Sequence, residues 1–332
     1  MFSFCVNKDD DSVTSLSKSI LNDSLNPELY YKRGYNFYNN KDYDFAVYDF
    51  RNAHRLDSVN IHYKLYLGLS LYDLYKSNND YNYLNEALLL FNNILITNDT
   101  LCYTSTYETG RFIDYDIIKY TVTTYRCEIY ILLSEYKKAL DDINLMQNMN
   151  SLDYYSYYLR GFIFEKLDMF NEAVYQYHKS ISLNSKYLNS YVKLGFMYQS
   201  LNDTICIDYY NSALEIDSTN INVLYNVAKY YQDNIFLEGQ KYSSFYFEKS
   251  ISYYNKILYQ DKFNENANYN LSYLYYFYLK DYETSANYAS EAIYSNNNNH
   301  FAYHMRSLCF KKLNRIEESN RDSVKWEALR NK

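Results

Sequence analysis

The sequence predicts an all-α fold, an array of about eight antiparallel helix-turn-helix repeats. Three observations predict it. Gly34 and Gly68 stand 34 residues apart, as do Gly161 and Gly195, and these are four of only 6 glycines in 332 residues. Each sits inside a helical pattern rather than a loop, as in Tyr30-Tyr-Lys-Arg-Gly34-Tyr-Asn-Phe37. The same succession of large, small and aromatic residues then returns along the chain. A fixed period of this length marks a repeat array, whose units bury their apolar faces against one another.

Residues 1–26 read as a leading cap helix with Val13, Leu16, Ile20 and Leu21 as its apolar stripe. In 27–60, Tyr30, Gly34 and Phe37 fall on one helix. Ala46, Phe50 and Ala53 fall on a second, after the polar turn Asn40-Lys-Asp42. Residues 61–101 carry Gly68 and Ala87 and are stretched around Lys76 to Asp80. An insertion at 102–119 precedes 120–153, where Cys127 replaces the glycine. Residues 154–187 are regular, with Gly161, Phe164, Ala173 and Tyr177, whereas 188–220 lack one residue in the turn. Residues 221–264 carry Ala228 and Tyr254 around an insertion near 232–247. Residues 265–299 have Ser272, Ala292 and one extra residue. Residues 300–332 hold the last repeat, with Tyr303, Ser307, Phe310 and Ile316, and a mixed-charge C-terminal cap from Glu317 onward. No Pro/Gly/Ser-rich linker divides the chain, so 1–332 reads as a single domain.

This spacing resembles the tetratricopeptide repeat (TPR): a large residue, a small one four later and an aromatic, then alanine, aromatic and alanine on the partner helix. The resemblance implies a right-handed superhelical solenoid, and its generic role is a protein-binding scaffold. Physically, the small residue at position eight and the alanine at position twenty belong where the helices cross, with aromatics filling the grooves beside them. A helical glycine costs up to about 1 kcal/mol against alanine, so close packing must offset it. The family places proline between units, and this chain has only Pro27. Asp57-Ser58, Asn184-Ser185 and Asp217-Ser218 stand there instead, with side chains able to accept hydrogen bonds at a helix start.

Composition narrows the function. The net charge of −7 with no basic run argues against nucleic acid. Hydrophobic content of 48% owes much to 47 tyrosines, whose phenols want partners, and no window approaches a membrane span. The start turns acidic at Asp9 to Asp11, too early for a secretory signal. Five scattered cysteines without a Cys-x-x-Cys suit a reducing, cytoplasmic setting, with Cys127 and Cys206 packing as small hydrophobes. Asn296 to Asn299 reads as a loop.

No nucleophile elbow, phosphate loop or paired-carboxylate site is present, so the chain reads as non-catalytic and without cofactor. His300 and His304, four apart, lack a further ligand at zinc spacing, and no metal is expected.

In the repeats the chain resembles, the first helix of each hairpin lines a concave groove through positions two, five, nine and twelve. That implies a candidate partner surface at Tyr31, Tyr35, Tyr38, Tyr158, Phe162, Tyr225, Lys229, Tyr269, Tyr273 and Tyr276. Rigid rings bury much area at low entropic cost; the competing reading is that these rings pack between hairpins. A chaperone-type carboxylate clamp would need lysine at position five and asparagine at position nine. Position five runs Tyr31, Leu65, Thr124, Tyr158, Val192, Tyr225, Tyr269, His304, and position nine has no asparagine either. The expected partner is therefore a protein or peptide segment held in an aromatic groove. Self-association is the alternative, and single-stranded RNA, stacked on tyrosines, a weaker one because phosphates need cations.

Overall fold

Helix pairing follows from what each helix can bring against the next. In the computed structural model, which describes residues 8–96, 115–235 and 244–331, all regular structure among the described residues is helical. Two compact units result, residues 1–183 and 184–332. The first contains α1 (Lys8–Asn22) and four hairpins. These are α2 (Pro27–Asn39) with α3 (Tyr43–Leu56), α4 (Ile61–Asn78) with α5 (Tyr81–Ile96), α6 (Tyr115–Leu132) with α7 (Tyr136–Met149), and α8 (Tyr154–Lys166) with α9 (Phe170–Leu183). The second pairs α10 (Leu188–Ser200) with α11 (Cys206–Ile216), and α12 (Ile221–Asp233) with α13 (Ser244–Gln260). It continues with α14 (Glu265–Leu274) against α15 (Tyr282–Ser295), and α16 (His300–Lys312) against α17 (Ile316–Arg330). Each unit has cores of its own, centred on Leu71, Leu84 and Ile129 in the first and on Tyr254, Ile257 and Leu271 in the second.

The helical glycines exist because an aromatic ring occupies the space of their side chain. A Cβ on Gly68 would lie 2.5 Å from the Phe91 ring; on Gly195, 2.6 Å from Tyr210; on Gly161, 2.8 Å from Tyr177; on Gly34, 3.0 Å from Phe50. The ring at position twenty-four, rather than the alanine at position twenty, makes the closest approach. Alanine still admits a ring, Ala228 sharing a cluster with Tyr254, but opposite a larger or polar residue the ring is replaced. Cys127 packs in one cluster with Ile143, and Ser307 meets Ser323 with hydroxyls 2.9 Å apart. Position twenty touches the backbone instead: the hydroxyls of Ser250, Ser285 and Ser319 donate to the carbonyls of Ala228, Ser272 and Ser307 at 2.7–3.0 Å.

Turns within hairpins need a left-handed residue and use no glycine for it. Lys41, Asn79, Ser134, Asp168, Asn202, Lys280 and Asn314 all have φ between 56° and 65°. The chain thus spends glycine on close approach and accepts the modest strain of a left-handed non-glycine residue at the turns. Between hairpins the acceptor is Asp or Asn, and except before α10, where Tyr187 makes no side-chain cap, the described turns place a second such residue three later as N-cap. Asp57 Oδ1 accepts from the Val59 and Asn60 amides, and Asn60 caps α4 at the His62 amide. Asp217 with Asn220, and Asp261 with Asn264, repeat the device. The serines after Asp57 and Asp217 accept neither bond. Asn296 and Asn299 form the same pair, and both amides also donate to Glu265, so the asparagine run ties α14 to α16.

Several local expectations change. Leu21 is 85% exposed, while Ile20 is buried, so the stripe on α1 is narrower than its apolar residues suggest. Helix α17 is the second helix of the last hairpin rather than an appended cap; its Ser319 and Asp322 are buried. Residues 115–119 of the expected insertion form the first turn of α6, and 232, 233 and 244–247 belong to α12 and α13. The rest of both insertions, 102–114 and 236–243, lies outside the described residues. The extra residue of 265–299 is taken up by a π turn, Tyr275–Leu279, that ends α14.

Candidate functional site

First helices face their partners with some positions and leave others open, and the candidate surface divides accordingly. In the first unit, Tyr31 is enclosed by the rings of Phe50, Tyr63 and Tyr66, with centroids 5.2–5.8 Å away, and burial pushes its phenol far above the ordinary tyrosine value. Tyr38 packs on Tyr43 and Tyr66 and donates to Asp73 Oδ2 at 3.0 Å; burial and that carboxylate raise it strongly. Tyr35, edge-on to Tyr66 at 5.3 Å, stays 39% exposed. Tyr158 stacks on Tyr155 at 5.9 Å and lies 5.8 Å from Tyr177, and burial pushes it up to about 12. Phe162 is half-buried beneath the Lys166 ammonium, 5.3 Å from the ring centre.

In the second unit, Tyr225 meets Tyr254 edge-on and receives a long hydrogen bond from the Asn270 amide, 3.4 Å. Lys229 is paired with Asp233 at 2.6 Å, one turn along its own helix. Tyr269 contacts Phe301 at 6.1 Å, and burial raises its phenol. Tyr273 lies 4.5 Å from Phe277; Tyr276 lies 4.8 Å from Phe277 and 5.3 Å from Tyr282. The structure therefore gathers Tyr31, Tyr35 and Tyr38 around Tyr66, and Tyr273 and Tyr276 around Phe277. Tyr158 and Phe162 lie on α8, and Tyr225 and Lys229 on α12.

Open aromatic surface on first helices comes mainly from rings outside the predicted set. Phe196 is 55% exposed, Phe277 48% and Phe301 57%. Phe196 stands at position nine, a signal present in the sequence. Phe277 reaches the face through the π turn, which the spacing could not show.

Two polar systems lie beneath these faces. At position seven, Arg33, Arg126 and Arg306 each make a bidentate pair with an aspartate sixteen residues later: Asp49 at 2.7 and 2.8 Å, Asp142, and Asp322 at 2.7 and 2.9 Å. The third nitrogen reaches back to Ser17, Asn92 or Ser290 on the preceding helix, so one guanidinium links three helices. Burial raises the Asp49 and Asp142 carboxyls above the ordinary range, and the guanidinium offsets part of that rise. In α8, Arg160 instead bonds Asn144 at 2.8 Å, and Gln176 stands where the aspartate would be.

The second system seats phenols on acceptors. Tyr63 donates to Glu28 at 3.0 Å, Tyr177 to Glu165 at 2.7 Å, Tyr155 to Glu128 at 2.7 Å and Tyr72 also to Glu128. In the second unit Tyr210 donates to Gln199 and Tyr254 to Gln232, at 2.7 and 2.8 Å. Among the described residues no cluster of three or more His, Cys, Asp or Glu could hold a metal, and no helix is long and apolar enough to cross a membrane. His304 stacks on Trp326 at 4.3 Å, a packing role for that ring.

Hairpins of this geometry define a TPR-like helical-repeat fold. A solved structure agrees at the level of the fold. IFIT1 in a monomeric variant form bound to m7Gppp-AAAA superposes with a TM-score of 0.50 at 12% identity, spanning 97% of this chain and 67% of IFIT1. The human IFIT1 dimer with the same ligand gives 0.48 at 13% identity, covering 98% and 68%. MamA from Desulfovibrio magneticus RS-1 gives 0.44 at 14% identity, covering 58% of this chain and 96% of MamA. No family model matches the sequence, and no curated protein does.

Proposed function

We propose that the chain is a non-catalytic scaffold that binds a protein or peptide segment along its first-helix faces. The observation that carries this is the set of open rings there, Tyr35 in the first unit and Phe196, Phe277 and Phe301 in the second. A phenyl ring has no polar handle, so leaving it in water forfeits burial worth about 2 kcal/mol; a partner that covers it recovers this. Rings flanked by other rings and partly buried, such as Tyr31, serve the fold.

The IFIT1 structures hold an RNA fragment, which raises RNA as a second ligand class. The cations argue against it. Arg33, Arg126 and Arg306 are committed to aspartates and Lys229 to Asp233, so these four are not free for phosphates. Self-association through the same rings would appear as concentration-dependent mass in light scattering.

The test is affinity capture from native lysate with wild type, Tyr35→Ala and Phe277→Ala/Phe301→Ala side by side, each first shown to melt as wild type does. A protein retained by wild type and lost by either variant supports the reading. Identical captures from all three overturn it.

A further inference from the structure

We propose that Glu128 is an anchor for a cationic side chain, lysine or arginine, on the segment the first unit binds; this rests on the scaffold reading above. Glu128 lies on α6, at position nine of the repeat 120–153, and is reached by side chains of α4 and α8. Tyr72 of α4 donates to its Oε2, and Tyr155 of α8 donates to its Oε1 at 2.7 Å. Each donor belongs to a ring pair: Tyr72 meets Tyr125 edge-on at 5.2 Å, and Tyr155 stacks on Tyr158 at 5.9 Å. A half-buried carboxylate is thus held in place between aromatic walls.

Its partners are all neutral. Four other carboxylates of the unit have a cation, Asp49 with Arg33, Asp142 with Arg126, Asp73 with Lys76 and Glu28 with Lys32, whereas the buried Asp153 is occupied in capping α8 at the Tyr155 and Ser156 amides. Among the described residues no lysine, arginine or histidine pairs with Glu128. Each of its oxygens accepts one phenol and retains a second lone pair. Phenols tolerate this seat equally on a neutral acceptor, as Gln199 and Gln232 demonstrate, so holding Tyr72 and Tyr155 does not require the charge. A cation docked here would gain a charge-assisted hydrogen bond and the faces of tyrosine rings. Long-range charge favours the same ligand. Residues 1–183 contain 17 Lys and Arg against 24 Asp and Glu, whereas 184–332 contain 16 of each, so the whole net charge of −7 belongs to the first unit.

The experiment is fluorescence anisotropy with the full chain and three labelled octapeptides, alternating Arg-Ala, Gln-Ala and Glu-Ala. Wild type is expected to bind Arg-Ala preferentially. Glu128→Gln, which keeps an acceptor for the phenols, is expected to weaken that binding about 10-fold or more. Glu28→Gln removes the same charge at an ion-paired site and is expected to cost about 3-fold or less through screening alone. Equal losses in the two variants, or no preference for Arg-Ala, overturn the proposal. Should Glu128→Gln lower the melting temperature, hydroxyl-radical footprinting of wild type decides. Protection of Tyr155 and Tyr72 by Arg-Ala supports the anchor, and protection confined to other tyrosines refutes it. A partner captured in the lysate experiment while Arg-Ala fails here would leave the scaffold standing and remove only the cation.

Discussion

In the first unit buried or half-buried phenols end on carboxylates, Glu28, Asp73, Glu128 and Glu165; in the second, Tyr210 and Tyr254 end on the amides of Gln199 and Gln232. Both arrangements satisfy the hydroxyl, and the helices around them pair alike. What a buried phenol requires is an acceptor, since an unsatisfied hydroxyl costs about 1–3 kcal/mol. The formal charge is a freedom left over from folding. The first unit uses it to become acidic and the second stays neutral, which is the kind of difference that sorts ligands rather than folds.

The sharpest way to break the comparison is through the arginine ties. Asp142 lies in an interior hairpin of its unit, and Asp322 in the last hairpin of the other. Asp142→Ala leaves the Arg126 guanidinium buried without its carboxylate and is expected to cost about 3–5 kcal/mol. Asp322→Ala is expected to release α16 and α17 while the hairpins before them stay folded. Circular dichroism should lose helix broadly in the first variant. Trp326, the only tryptophan and a residue of α17, should report the second by a shift of its emission at a temperature where total helicity is nearly intact. Equal, global losses in both would show that the pairs do not act locally.

A smaller effect tests the ring-over-glycine packing. Gly68→Ala places a methyl 2.5 Å from Phe91, and the overlap is expected to destabilise by about 1–3 kcal/mol despite alanine's better helix propensity. Adding Phe91→Leu copies the Cys127 and Ile143 solution and is expected to recover part of the loss. If the single variant instead raises the melting temperature, the ring has room to move and the glycine needs another explanation.

That packing was partly legible: the 34-residue glycine spacing records a steric constraint, but the spacing pointed to the alanine at position twenty as the close contact, whereas the ring at position twenty-four makes it. The asparagine caps were half legible: residue type pointed to punctuation, but which side chain accepts which amide depends on backbone geometry, and Asp57 and Asn60 take the bonds rather than Ser58. The tie of position seven to position twenty-three was present as Arg33/Asp49, Arg126/Asp142 and Arg306/Asp322, yet charged residues at helical spacing usually read as solvated faces. The candidate surface was least legible. A tyrosine at position five or nine looks the same in sequence whether its neighbours close over it, as around Tyr31, or leave it open, as at Tyr35. The local π turn that carries Phe277 to the surface leaves a single extra residue as its only trace.

The smallest expected effect is the response to acid. Burial lowers His62; burial and the nearby Lys64 lower His54, against a weaker opposing pull from Asp57. In the second unit, burial and Arg330 lower His304. His178 is lowered too, but it is an exposed residue whose shift solvent screens, so little stability follows from it. A histidine depressed in the fold binds its proton more readily when unfolded. Its contribution is therefore whole above the unfolded value of 6.5 and is lost as pH falls through the lower folded value. Moving from pH 7.5 to 5.5 should lower the melting temperature by about 2–4 °C for each kcal/mol lost. Hydrogen exchange should quicken more in peptides around α3 and α4, which hold two such histidines, than in α16. His62→Gln should remove part of the first response and none of the second. A melting temperature that rises on acidification would mean that the raised carboxyls of Asp49 and Asp142, which gain stability as they protonate, already dominate above pH 5.5.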